Sequence, residues 1–140
     1  MQIITPHKKL ITSSFSEKRY RYLFGIKLWS YWQTLYRVEE EVTLMTFDGK
    51  EITIEEGYIT DYGTIPWMFR WLYSQSREYN LSCAAHDKMY TSQIVSRLYA
   101  DINFLCWMYR DNVGKWTMLL FFFVVALGGQ KQWSKYTLKQ

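Results

Sequence analysis

Along residues 18–28 apolar and polar side chains alternate. Tyr20, Tyr22, Phe24, Ile26 and Leu28 fall on one side, Arg19, Arg21 and Lys27 on the other. A period of two predicts a half-buried β-strand. Residues 29–35 are strongly aromatic and fit no single period. A second alternation, Tyr36, Val38, Glu40, Val42 and Leu44, runs into Phe47-Asp48-Gly49-Lys50. Asp-Gly between two apolar runs predicts a hairpin turn, because these residues tolerate the left-handed backbone that tight turns require. The return strand is expected at residues 51–55, with Ile52 and Ile54 on one face, and Gly57 ends the ladder.

After Pro66 the period becomes helical. Pro66 suits the first turn of a helix, where its missing N–H costs nothing, and residues 67–73 continue it. Further helices are predicted over 78–92, 96–111 and 115–127, with Ser96 as an N-cap. Gly114 and Gly128-Gly129 bracket the last of these. The pattern predicts an α+β fold: a small antiparallel β-sheet in the N-terminal half, followed by a three- to four-helix C-terminal half. No repeat, low-complexity tract or linker divides the chain, so one domain over 1–140 is expected. Within it, 1–17 reads as an arm, 18–60 as the β-rich part, 66–128 as the helical part and 129–140 as a tail.

Composition narrows the class. The 140 residues are 49% hydrophobic and 19% aromatic with only two prolines, which excludes a disordered chain. The net charge of +4 is too small to point to nucleic acid. Cys83 and Cys106 suit a reduced compartment or buried thiols better than a disulfide framework. Residues 1–10 lack the apolar stretch of a signal peptide, so a cytoplasmic location is expected.

Chemistry concentrates in Cys83-Ala84-Ala85-His86-Asp87-Lys88-Met89-Tyr90. On a helix His86 and Tyr90 share a face, while Asp87 diverges from His86 by about 100°. Ala84 and Ala85 allow another element to approach closely. If the next helix packs antiparallel, Asp101 reaches back towards His86. A carboxylate bonded to one imidazole nitrogen fixes the tautomer and raises the basicity of the other, as a general base for water requires. Asp61, flanked by Thr60 and Tyr62 as supporting residues, precedes the helical half and is expected to enter the same cleft. Clustered carboxylates repel unless compensated, which calls for Arg97 or a divalent cation on Asp87 and Asp61. Calcium, magnesium or manganese suits oxygen ligands, and zinc or manganese suits a site that includes His86. Each residue also has a plain structural role: His86 as a bonded core histidine, Asp61 as a turn former, and Asp101 as the i,i+4 partner of Arg97.

Residues 118–127 form an uninterrupted apolar run. As a helix it covers about 15 Å, whereas a bilayer core needs about 20 residues, so no transmembrane span is expected. A buried last helix is one reading. Flanking Lys115, Trp116, Lys131 and Trp133 also suit a helix lying against a membrane or partner, with Trp116 and Trp133 as contacts.

Gly57-Tyr58-Ile59-Thr60-Asp61-Tyr62-Gly63-Thr64-Ile65-Pro66 resembles the Gly-Phe-x-Thr-Asp-Phe-Ala-Ser-Ile-Pro signature of a phage and prophage family, domain of unknown function 1353. His86-Asp87-x-x-Tyr90 and Ser96-Arg97-x-x-Ala100-Asp101-x-x-Phe104 match the same family over residues 36–133. The resemblance implies a bacteriophage or prophage origin, in the host cytoplasm or the virion, and no established activity. His-Asp-x-x-Tyr on one helix with an Asp on the next is also similar to secreted and parvoviral phospholipases that cleave the sn-2 ester. That similarity implies His86 as general base, Asp87 as calcium ligand, Asp101 orienting His86, and Tyr90 supporting Asp101. The glycine-rich calcium loop of those enzymes has no counterpart here.

The sequence therefore leads to a His/Asp hydrolase site acting on a lipid or cell-envelope ester. The competing reading is a non-enzymatic virion or tail accessory, or a binder of host proteins, because exposed Tyr and Trp are common interface anchors.

Overall fold

A computed structural model describes residues 12–60 and 80–138. Their order is β1 (Thr12–Leu23), β2 (Ile26–Val38), β3 (Val42–Met45), β4 (Glu51–Ile54), β5 (Ile59–Thr60), α1 (Asn80–Ser92), α2 (Arg97–Arg110) and α3 (Lys115–Thr137). The strands form two antiparallel sheets, β1-β2-β5 and β3-β4, and the helices follow, so the fold is α+β. The helix expected at 67–73 lies outside the described residues.

The first alternation resolves into a hairpin, not one strand. Phe24 and Gly25 take φ of 51° and 78°, the two successive positive values of a type I′ turn. Leu23 then stands opposite Ile26 and Tyr22 opposite Lys27. Directly opposed residues share a face, so Ile26 leaves the face that Tyr22 occupies. The half-buried face does not form: Tyr20, Tyr22, Ile26, Leu28 and Trp29 are all exposed. Residues 29–35 belong to β2, and residues 12–17, expected in an arm, pair along β1.

The second alternation is also divided. Val38 closes β2 by exchanging backbone hydrogen bonds with Gly57 and Tyr58, and β3 begins at Val42 after Glu39-Glu40-Glu41. Three adjacent carboxylates favour water over a ladder, which separates the two strands. The Asp48-Gly49 turn forms as the sequence requires. Gly49 has φ of 84°, Thr46 N–H donates to the Lys50 carbonyl at 2.8 Å, and Ile52 and Ile54 face inward together.

Helix α1 presents Ala84 and Ala85, both fully buried, to the core. The Ser96 hydroxyl caps α2 by accepting the Tyr99 N–H at 3.3 Å. From α2, Trp107 is 1% exposed and its indole N–H donates to the Met45 carbonyl at 2.9 Å, fastening the helix to β3. Asn103, also buried, accepts the Phe47 N–H and donates to the Tyr99 carbonyl. The core is built from Val38, Leu44 and Ile54 of the strands against Met89, Phe104 and Met108 of the helices.

Helix α3 passes through Gly128-Gly129 and continues to Thr137, ten residues beyond the expected end. Neither glycine has positive φ, so neither acts as a helix stop. Only Phe121 and Gly129 of this helix are buried, which corrects the reading of a fully buried last helix. No described helix is long and apolar enough to cross a membrane.

Candidate functional site

The α1–α2 pair determines the site. With α2 folded back along α1, His86 Nε2 lies 2.9 Å from Asp101 Oδ1. The Tyr90 hydroxyl, one turn along α1 from His86, donates to the same oxygen at 2.7 Å. Arg97, one turn before Asp101 on α2, brings its Nε to 3.5 Å from Oδ2. The Asp101 carboxylate is thus met by an imidazole, a phenol and a guanidinium. It is buried, and two hydrogen bonds and the nearby positive charge replace the water it has lost.

Facing a carboxylate oxygen, which accepts, Nε2 carries the proton and Nδ1 holds the lone pair. Nδ1 has no hydrogen-bond partner among the described residues. The His86 side chain is 13% exposed. Its ring is held between Tyr90 and Phe104, with centroids 4.3 and 4.6 Å away. Burial lowers the His86 pKa below its ordinary value, and the Asp101 hydrogen bond and charge oppose that shift without reversing it. The imidazole is therefore neutral at pH 7, the form in which it can accept a proton. Burial, then the Asp101 hydrogen bond, raises the Tyr90 phenol well above its usual range, so it stays a donor.

Asp87 points to a neighbouring side of α1. Its Oδ2 accepts the Thr60 hydroxyl at 2.9 Å and the Tyr58 hydroxyl at 3.3 Å. Thr60 is buried and lies on β5, so this contact joins the sheet to α1. Asp61 and Tyr62 lie outside the described residues. Among those described, no group of three His, Cys, Asp or Glu converges as a metal site. Arg97 also donates to Gln130 Oε1 at 2.7 Å and to the Ala126 carbonyl at 3.1 Å, which ties the site to α3. Trp116 is 85% exposed. Trp133 is partly buried, its ring edge-on to Tyr90 at 5.1 Å.

A family model for a protein of unknown function, DUF1353, matches residues 36–125. This chain is a DUF1353 protein. The DUF1353 match covers β3 to the first half of α3 and includes His86, Asp87, Tyr90, Arg97 and Asp101. It leaves out nearly all of β1 and β2. Nothing among curated proteins or solved structures matches the chain.

Sequence reasoning missed Gly129 as a close neighbour of Tyr90. A β-carbon there would lie 2.5 Å from the Tyr90 hydroxyl oxygen. The available signal was a glycine inside a stretch whose flanks are both helix-compatible, a position that suits close packing as well as an end.

Proposed function

We propose that this DUF1353 protein is a bacteriophage- or prophage-encoded hydrolase in which His86 activates water. The observation that carries the reading is the neutral imidazole with Nε2–H on Asp101 and Nδ1 without a partner among the described residues. Nδ1 takes a proton from water as the water oxygen bonds to an ester carbonyl carbon. The imidazolium that forms is stabilised by Asp101, which Tyr90 and Arg97 hold in place. Collapse of the tetrahedral intermediate breaks the ester C–O bond, and the proton passes from Nδ1 to the departing alkoxide. The substrate class is a lipid or cell-envelope ester.

A divalent cation, calcium before magnesium, manganese or zinc, belongs to the proposal with Asp87 and Asp61 as ligands. Of these, Asp87 lies within the described residues, where two hydroxyls already meet it. One carboxylate by itself does not make a site for such an ion.

The test is hydrolysis of phosphatidylglycerol vesicles and p-nitrophenyl esters by the full chain, with and without each cation. Turnover that His86→Ala abolishes at an almost unchanged Tm supports the reading. No turnover under any condition, with a large loss of stability in His86→Ala, makes His86 a core histidine.

The exposed aromatic strands β1 and β2 favour a second reading, a non-enzymatic virion or tail accessory or host-binding protein. Stoichiometric presence in purified virions that stay infectious with Asp87→Asn would support it.

A further inference from the structure

The β1–β2 ribbon is poorly explained by the fold. Beyond Tyr36 and Arg37, which pair with β5, its residues find no third strand among the described residues. Two-stranded ribbons are marginal in water without something covering a face. Here both faces carry exposed Tyr, Trp and aliphatic side chains.

The turn shows the same conflict in one residue. Phe24 sits at φ 51°, where Asn, Asp or Gly is favoured and a bulky side chain is strained. It is also 94% exposed. A residue that suits neither its backbone nor its solvent is explained by something outside the fold. Leu23 and Ile26 beside it are 53% and 67% exposed, so the tip is apolar and uncharged.

Charge identifies the partner. The ribbon carries Lys18, Arg19, Arg21, Lys27 and Arg37 against Glu17, an excess of four that equals the net charge of the whole chain. Several of these cations lie over aromatic rings: Lys27 Nζ is 3.6 Å from the Tyr20 centroid, and the Arg21 guanidinium is 5.6 Å from that of Tyr31. The order from the tip inward is therefore apolar side chains, then Tyr and Trp interleaved with cations. An anionic bilayer has the complementary order, acyl chains beneath a headgroup layer that favours aromatic rings and attracts Lys and Arg. Nucleic acid would instead favour cations at the leading end, to meet phosphates.

We propose that the β1–β2 ribbon docks on an anionic lipid surface, with Leu23, Phe24 and Ile26 entering the acyl boundary and the basic residues on the headgroup phosphates. The ribbon lies almost wholly outside the family match, so this is an addition to the DUF1353 region. It stands whether or not His86 hydrolyses an ester.

Co-sedimentation of the full chain tests it, with vesicles of phosphatidylcholine alone and with about one-third phosphatidylglycerol. Binding is expected to the anionic vesicles, weakened by salt, and at least about tenfold weaker to the neutral ones. Phe24→Asn with Ile26→Thr should reduce it about tenfold or more at an unchanged or higher Tm, because Asn suits the turn. A second variant, with Lys18, Arg19, Arg21 and Lys27 changed to Gln, should lose the preference for phosphatidylglycerol. Failure to sediment with anionic vesicles overturns the proposal, as does binding unchanged in both variants. Tighter capture of a labelled oligonucleotide, or a dimer that the tip variant dissolves while vesicles stay unbound, overturns it in favour of nucleic acid or a second copy.

Discussion

Gly129 of α3 packs so closely on Tyr90 of α1 that a β-carbon at Gly129 would stand 2.5 Å from the phenol oxygen. That phenol donates to Asp101, which also holds His86. Packing of the last helix thus fixes the second donor of a buried carboxylate.

Gly129→Ala should therefore destabilise the protein by about 1–3 kcal/mol, because a buried ring must move to admit one methyl group. Tyr90→Phe removes the clashing oxygen and should itself cost about 2 kcal/mol by taking a donor from the carboxylate. The double variant should cost clearly less than the sum of the two. Urea unfolding of all four proteins gives the coupling, and simple additivity would show that the contact is not tight.

One residue earlier the sign should reverse. Gly128 has nothing within 4 Å of an added β-carbon and sits inside a helix. Gly128→Ala should stabilise by about 0.5–1 kcal/mol, read as a rise in the urea midpoint.

The pH dependence of stability should carry a His86 component. Its folded pKa lies below the ordinary 6.5, so below that pH the unfolded chain binds a proton more readily than the folded one. The contribution is complete above about pH 6.5 and is lost as pH falls from there through the folded value. His86→Gln should flatten the fall in urea midpoint between pH 7 and pH 5. An equal slope in the variant would place the titration elsewhere.

Trp107→Phe should cost about 1–3 kcal/mol even though the core remains apolar, since the Met45 carbonyl loses its indole donor. Trp107→Ala adds the cavity and should reach about 3–5 kcal/mol.

Thr60→Val keeps the shape of a buried side chain and removes a hydroxyl that meets Asp87. A loss of about 2 kcal/mol is expected. Asp87→Asn in the same background should cost less than it does alone, again by denaturant titration.

Much of the fold was legible where the cause is local. Asp48-Gly49 turns because glycine accepts φ of 84°, and Ser96 caps α2 because its hydroxyl reaches an unpaired N–H of the first turn. Helical spacing puts His86 and Tyr90 on one face, and an antiparallel neighbour suffices to bring Asp101 to both. The first hairpin was hidden because Phe24 is an unexpected turn residue, so the alternation ran on through it. The end of α3 was misread because a glycine pair signals both a helix stop and a close approach.

Turn chemistry, capping and periodicity act over a few residues, so the sequence by itself determined α1, α2, the start of α3 and the β3–β4 hairpin. Only the tertiary structure decided that Asp101 takes up His86, Tyr90 and Arg97 together while Asp87 turns to Thr60. It also decided that Gly129 is a packing contact and that the aromatic ribbon stays in the open. These depend on which surfaces of distant segments come together, and several pairings of the same local pattern satisfy the same periodicity.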